Sequence, residues 1–170
     1  MARNVEIKAR VRDFDAVRRR ASELAQAPPE LISQIDAFFV VPRGRLKVRR
    51  FADGSGELIA YDRIDRPGPK QSSYVVAASA DADALCDALS RALPVRGRVV
   101  KRRELFLVGR TRVHLDEVER LGTFVELEVV LQDGEPLEAG EREAHDLMRL
   151  LGIAEDSLVS SAYIDLLEPS

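Results

Sequence analysis

The sequence predicts an α+β fold in which helices pack around a closed, eight-stranded antiparallel β-barrel. The first observation is that charged and apolar residues alternate strictly over residues 4–11, which places Glu6, Lys8 and Arg10 on one face of a strand. The second is a count of about eight such strands, a number at which a barrel encloses one small ligand or only its own side chains. The third is that apolar residues of the opposite parity need a cover of helices. The charged pattern recurs at Lys47/Arg49, Tyr61/Arg63, Lys101/Arg103, Arg112/His114/Asp116 and Glu126/Glu128.

The composition is that of an ordinary globular protein. Its 170 residues suit one domain over residues 1–170, with 45% hydrophobic and 32% charged residues and a net charge of −3. A general nucleic-acid binder would be markedly basic. The single Cys86 excludes an intrachain disulfide, no apolar run reaches the roughly 18 residues of a membrane span, and the N-terminus lacks a signal peptide. We therefore expect a cytoplasmic protein.

Capping and turn residues divide the first half of the chain into elements. Asp13 can cap a helix that ends before Pro28-Pro29, and Asp81 or Asp83 can cap a second helix. Turn sequences at residues 42–44 and 53–56 separate antiparallel strands. We predict strands at residues 4–11, 33–41, 45–51, 57–63 and 71–78.

The second half repeats this plan of strands followed by a helix. Gly109-Arg110 forms a tight turn, and Gly152 is expected to end the long helix that precedes it. We predict strands at residues 99–108, 111–118 and 123–131, a helix at 138–151 and a short last helix at 160–167.

Basic residues of shared parity form a candidate anion site. If the parity holds, they project into one interior, where many like charges need anions from the protein, from a ligand or from both. Arginine forks and lysine point charges are the usual phosphate contacts. For any one strand, the alternative is a polar face that points to solvent. The candidates are Lys8, Lys47, Arg49, Arg63, Lys101, Arg103 and Arg112.

Four acidic residues form a candidate metal site. Glu126 and Glu128 share a strand face, Asp116 can lie beside them across an antiparallel pair, and Glu6 can complete the set. Such hard oxygen ligands suit Mg²⁺ or Mn²⁺. Salt bridges to the surrounding arginine and lysine residues are an equally good explanation. His114 is expected to be a hydrogen-bonded residue near the site, not a ligand.

Several motifs together resemble the CYTH superfamily, which takes its name from class IV adenylate cyclases and thiamine triphosphatase. Residues 4–8 are similar to its N-terminal signature Glu-x-Glu-x-Lys. The layout is most similar to the bacterial class IV adenylate cyclase-like branch. Further matches are Gln34-x-Asp36-x-Phe38-Phe39, Gly44-Arg45-Leu46-Lys47-Val48-Arg49, Val100-Lys101-x-Arg103, His114-Leu115-Asp116-x-Val118-x-x-Leu121-Gly122, Phe124-x-Glu126-x-Glu128 and Ser161-Ala162-Tyr163-x-Asp165-Leu166-Leu167.

The resemblance implies an eight-stranded tunnel that binds a triphosphate along its axis with divalent metal ions. It implies that the seven basic candidates hold the phosphates, that the four acidic candidates hold metal, and that Lys8, Glu6 and Arg103 are catalytic. Two positions depart from the family pattern. Asn4 replaces the first Glu of the signature, which puts a second metal ion in question, and Phe38 stands where many relatives have Tyr.

The expected function is a metal-dependent reaction of a triphosphate. Cyclisation of ATP to cyclic AMP and pyrophosphate fits the site, and so does hydrolysis of inorganic or organic triphosphate such as thiamine triphosphate. The alternative from another class is a non-catalytic binder of nucleotide or polyphosphate. An RNA-binding barrel is disfavoured because the chain has no Trp and only 3 Tyr. The expected partner is a nucleoside or other triphosphate, with a homodimer left open and neither nucleic acid nor membrane expected.

Overall fold

The computed structural model describes residues 2–63 and 68–168, with the side chain of Arg63 also outside this description. Eight strands and four α-helices lie within these residues. The strands are β1 (Ala2–Arg10), β2 (Glu30–Phe39), β3 (Arg45–Phe51), β4 (Gly56–Arg63), β5 (Lys70–Ser79), β6 (Val95–Val108), β7 (Thr111–Val118) and β8 (Gly122–Val130). The helices are α1 (Phe14–Leu24), α2 (Ala82–Ala92), α3 (Leu137–Leu151) and α4 (Tyr163–Leu167), with a 3₁₀ turn at Glu155–Ser157.

The eight strands form a closed barrel in the order β1-β5-β4-β3-β2-β6-β7-β8, and β8 pairs with β1 to complete it. Every pairing is antiparallel. Closure leaves each strand with a partner on both sides, which satisfies the backbone donors and acceptors of the wall. The predicted fold class is confirmed.

Long-range pairing explains where the observed bounds differ from the predicted ones. β2 and β6 pair from Glu30↔Leu105 to Phe39↔Val95, so both strands begin earlier than the sequence indicates. The added residues of β6 include Gly97, which has low strand propensity and is held in the strand by its pairing with Phe38 on β2. The last helix begins at Tyr163 and not at residue 160.

The predicted helix caps are found in the structure. The Asp13 carboxylate accepts a hydrogen bond of 3.0 Å from the Ala16 backbone N–H, and Asp81 accepts one of 2.9 Å from Ala84. Gly152 adopts a left-handed conformation with φ 72°, which a residue without a Cβ reaches at little cost. These local signals fix where α1, α2 and α3 start or stop.

Helices cover three parts of the barrel exterior. α1 and α3 pack over β1, β7 and β8, α2 packs over β3, and α4 lies at the barrel end formed by Phe38, Val99, Val118 and Phe124. On the strands that these helices cover, apolar side chains pack outward against them and the opposite parity faces the lumen. The predicted helix cover does not extend to β5, whose outward-facing Val75 is exposed. None of the helices in the described residues has both the length and the apolar composition needed to cross a membrane.

Candidate functional site

The barrel encloses a cavity of about 730 Å³ whose wall carries the predicted charges. The alternation of each strand brings one side chain in two to the lumen, and hydrogen-bonded registers hold neighbouring strands in step. Asp116 is fully buried behind the cavity surface, and the side chain of Arg63 lies outside the described residues. Predicted site residues that line the cavity are Glu6, Lys8, Lys47, Arg49, Lys101, Arg103, Arg112, Glu126 and Glu128.

Three cations surround the carboxylate of Asp36, which is 1% exposed on β2. Arg49 donates to both of its oxygens at 2.9 Å, Lys47 donates at 2.7 Å, and the Lys101 ammonium lies 3.9 Å away. The registers Asp36↔Arg49 and Gln34↔Lys101 place these side chains on β3 and β6, on either side of β2. We call these four residues the Asp36 cluster.

Burial and charge act against each other in this cluster. Burial raises the pKa of Asp36, but Arg49, Lys47 and Lys101 outweigh it and hold that pKa well below its usual range. Burial and the neighbouring Arg49 lower the pKa of Lys47 to about 8, although Asp36 opposes this shift. Burial and Arg103 also hold the pKa of Lys101 well below its usual value. An anion in the lumen would therefore favour protonation of both lysines.

A second ion-pair group is centred on Arg103. Its guanidinium donates to both oxygens of Asp116 at 2.7 Å and to Glu126 at 3.0 Å. The Tyr163 hydroxyl donates to the same Asp116 at 2.8 Å. Burial raises the pKa of Asp116, but Arg103 outweighs this effect and brings it to about 2. In this arrangement Asp116 fixes the orientation of Arg103, and its predicted metal role stays a prediction.

The C-terminal segment contacts two buried lysines. The Lys8 ammonium donates to the Ser161 carbonyl at 3.2 Å and lies 4.1 Å from the centre of the Tyr163 ring. Lys70, which is 1% exposed, donates to the Ser160 carbonyl at 2.7 Å. Backbone oxygens and an aromatic face thus solvate these charges at the barrel end that α4 covers.

Two further carboxylates, those of Glu6 and Glu128, lie together on the part of the wall formed by β1 and β8. Glu6 and Glu128 are register partners on β1 and β8. Glu128 accepts hydrogen bonds from the Asn4 amide at 2.7 Å and from Arg112 at 3.2 Å. The amide oxygen of Asn4 is buried and has no hydrogen-bond partner among the described residues. Carboxylate and amide oxygens of this kind are ligands that Mg²⁺ and Mn²⁺ accept.

These oxygens fit a divalent ion that shares its coordination with a ligand. Within residues 2–63 and 68–168, no group of three or more His, Cys, Asp and Glu side chains is arranged to hold a metal ion by itself. Mg²⁺ is usually held by one or two carboxylates together with water and substrate phosphates. Glu6 and Glu128 supply that number. The predicted metal role of these residues and of Glu126 stays a prediction.

The hydrogen bond expected at His114 is not found at its Nδ1 atom. That atom is buried and has no partner within the described part of the chain. Burial and the charge of Arg103 lower the pKa of His114 well below its usual value, so the ring is neutral at physiological pH. The carboxylates of Asp116 and Glu126 oppose this shift of the pKa but do not cancel it.

Sequence reasoning missed three residues of the site. Asp36 and Tyr163 lie within motifs that match the family, but neither was assigned a role, and Lys70 was not considered. The signal for Asp36 was available, because it shares the lumen parity of β2 with Gln34 and Phe38. Tyr163 follows the strands in the sequence, and only the packing of α4 brings it to the cavity.

Comparison with known protein families identifies the family of this chain. A family model for the CYTH domain matches residues 2–163. The chain belongs to the CYTH family. No curated protein sequence matches the chain significantly. The resemblance inferred from the motifs is thereby confirmed.

Solved structures share the fold of this CYTH domain. A Pyrococcus horikoshii protein is 24% identical with a TM-score of 0.86, and the alignment covers 97% of this chain and 99% of that one. A candidate adenylate cyclase from Vibrio parahaemolyticus is 18% identical with a TM-score of 0.76, covering 96% and 97%. A candidate adenylyl cyclase from Hippeastrum with a dominant triphosphatase activity is 16% identical with a TM-score of 0.67, covering 94% and 91%. At these identities the likeness establishes the fold.

Proposed function

We propose that this CYTH domain is a divalent-metal-dependent enzyme that acts on a triphosphate bound inside the barrel. The observation that carries the proposal is the convergence of six lysine and arginine side chains on one cavity, with a separate pair of carboxylates on the same wall. Buried cations at this density favour a polyanionic ligand. The six cations are Lys8, Lys47, Arg49, Lys101, Arg103 and Arg112.

The cations retain donors for phosphate oxygens after their internal contacts are counted. An arginine side chain has five N–H donors, and Arg49 uses its Nε and Nη2 atoms on Asp36. A lysine ammonium has three donors, and Lys47 directs one of them to the same carboxylate. The remaining donors can bind a triphosphate, whose non-bridging oxygens accept several charge-assisted hydrogen bonds each.

We assign the metal to Glu6 and Glu128, with Glu126, Asp116 and the Asn4 amide oxygen as further candidates. When bound, the ion would supply Lewis-acid polarisation of a phosphoryl oxygen and would lower the pKa of the attacking hydroxyl or water. The other catalytic roles would belong to protein side chains. Lys8 and Arg103 would stabilise charge on the reacting phosphate, and Glu6 would orient the nucleophile.

The uncharged part of the wall favours an organic triphosphate over an inorganic one. Ile59, Tyr61 and Val76 line the cavity on β4 and β5, and Phe38 lines it on β2. The cavity of about 730 Å³ is in the range of pockets that bury a drug-sized ligand. An apolar and aromatic wall of this size can pack against a nucleoside or another ring system.

Product analysis tests this proposal and separates its two reactions. ATP, inorganic triphosphate and thiamine triphosphate are offered in parallel with Mg²⁺, with Mn²⁺ and with a chelator. Cyclic AMP with pyrophosphate identifies a cyclase, and release of orthophosphate identifies a triphosphatase. Tight binding with no product under either metal would contradict the enzyme assignment.

A non-catalytic binder of nucleotide or polyphosphate is the second candidate, and two residues favour it. Asn4 occupies the place of a family carboxylate and donates to Glu128, so one negative charge is missing beside the metal site. Phe38 lines the cavity without the hydroxyl that many relatives carry. In that case the six cations of the cavity would bind the ligand, and no product would form from any of the substrates.

A further inference from the structure

Asp36 lies among the phosphate-binding candidates although it is itself an anion. It lines the cavity on β2, is 1% exposed and is surrounded by Lys47, Arg49 and Lys101. Its backbone is fixed because β2 is hydrogen-bonded to β3 and β6 on both sides, and its carboxylate is held by three hydrogen bonds from Lys47 and Arg49. The carboxylate must therefore share these cations with any ligand.

The contacts of Asp36 orient the two strongest donors of the cluster. The paired hydrogen bonds of 2.9 Å to Arg49 fix the plane of its guanidinium, since a bidentate pair allows little rotation. The bond of 2.7 Å to Lys47 fixes the position of its ammonium. Donors that do not face Asp36 are left toward the lumen, where both side chains line the cavity.

We propose that Asp36 is a positioning residue that keeps Lys47, Arg49 and Lys101 assembled and charged as a preformed clamp for one phosphoryl group of the ligand. The proposal rests on the triphosphate function inferred above. With all four groups ionised the cluster carries two net positive charges, which matches the two negative charges of a terminal phosphoryl group above about pH 6. Asp36 thus fits the clamp to its ligand in charge as well as in geometry.

The pKa of Lys47 is a measurable indicator of whether Asp36 keeps the clamp charged. The charges that act on it are Asp36 on β2, Arg49 on its own strand and Glu126 on β8, and the Phe38 and Tyr61 rings face its ammonium at 5.4 and 5.7 Å. Asp36 favours the protonated form, whereas burial and Arg49 oppose it. Loss of Asp36 should therefore lower the pKa of Lys47 below about 8.

The test compares wild type, Asp36→Asn and Glu104→Gln. Glu104 is a matched control because it also accepts a bidentate arginine pair, from Arg18, at a position that does not line the cavity. Binding of ATP is measured by calorimetry from about pH 7 to about pH 9.5 with a chelator present, so that turnover is prevented and the phosphates stay ionised.

In wild type, affinity should fall as pH rises through about 8, where Lys47 loses its proton. In Asp36→Asn the fall should begin about one pH unit lower or more, with affinity at pH 7.5 at least about tenfold weaker. Glu104→Gln should behave as wild type. An equal loss of affinity at every pH in Asp36→Asn would assign Asp36 a structural role only and overturn the proposal.

Two further outcomes distinguish failure of the proposed triphosphate function from failure of the proposed role of Asp36. If wild type binds none of ATP, inorganic triphosphate and thiamine triphosphate, either with Mg²⁺ or with a chelator, the triphosphate function itself is refuted. If Asp36→Asn does not fold, an NMR titration of the Lys47 side chain in ligand-free wild type decides the role of Asp36. A charged Lys47 ammonium at pH 7 supports the clamp, and a neutral one overturns it while leaving ATP binding intact.

Discussion

Asp116 shows at the level of single residues how a charged lumen is stabilised. Its carboxylate is fully buried and accepts hydrogen bonds from Arg103 and Tyr163. Burying one such charge without a partner costs several kcal/mol, so each group depends on the other. The interactions that prepare the site for a polyanion therefore also contribute to the stability of the barrel.

Replacing Asp116 by Ala should destabilise the fold by about 3–5 kcal/mol, because Arg103 would keep its charge in a buried position. Denaturant unfolding measures this difference. Asp83→Ala is the control, since Asp83 pairs with Arg50 at the surface and should cost about 1 kcal/mol or less. Equal effects of the two variants would show that the buried pair contributes no more than a surface one.

The Asp116 pair should also make stability depend on acid. Its pKa of about 2 lies below the usual value of 3.8, so the pair contributes fully above that value and is lost as pH falls through about 2. We expect the stability of wild type to fall more steeply than that of Asp116→Ala between about pH 4 and about pH 2. Parallel acid unfolding curves for the two proteins would contradict the assigned pKa.

Asn4→Glu should raise the metal-dependent rate. Asn4 donates to Glu128 at 2.7 Å, so a carboxylate at this position would lie beside another and attract a divalent ion more strongly. Product formation with Mg²⁺ measures the effect, and Asn4→Gln, which keeps an amide, is the control. If Asn4→Glu gains no activity or metal-dependent thermal stabilisation, the oxygen cluster around Glu128 is not a metal site.

At the level of elements, strand alternation was the signal that made the barrel predictable. Period-two patterns predicted all eight strands and the lumen face of the nine predicted site residues that line the cavity. Arg10 has the same parity on β1 but is exposed and does not line the cavity. The sequence did not indicate which non-consecutive strands pair, such as β2 with β6, because such pairing depends on closure of the whole sheet. For the same reason the sequence does not indicate the roles of Tyr163 and Lys70, because each depends on where the C-terminal segment packs on the barrel.

α4 should detach more easily when Arg96 is replaced by Ala. Arg96 donates to Asp165 at 2.6 Å and to Glu168 at 2.6 Å, and these contacts hold the short helix against β6. Hydrogen exchange over residues 163–167 should therefore be faster in Arg96→Ala than in wild type, while exchange over the strands stays the same. Arg91→Ala is the control, because Arg91 pairs with Asp87 on the exposed surface of α2, away from α4. Unchanged exchange at α4 would show that apolar packing alone holds it.

At the level of the whole molecule, the charge distribution matters more than its sum. The net charge is −3, and the cavity is lined by seven acidic side chains as well as six basic ones, so binding of an anion depends on where the cations lie and not on an excess of them. A low-dielectric wall strengthens the interaction of these charges with an anion inside it. Ligand binding should therefore be visible as a change in the stability of the entire barrel.

Inorganic triphosphate or ATP with Mg²⁺ should stabilise the protein against heat. A ligand that binds only the folded state at 100 times its Kd adds about 2.7 kcal/mol. Arg49→Ala should weaken binding by about 1.5–3 kcal/mol, because it removes charge-assisted hydrogen bonds to phosphate. Arg50→Ala provides a stringent control, since the neighbouring residue has the opposite parity on β3 and pairs with Asp83 outside the barrel. Thermal unfolding with increasing ligand separates the two variants: a shift lost in Arg49→Ala and kept in Arg50→Ala places the ligand in the lumen, whereas equal shifts in both would place it elsewhere.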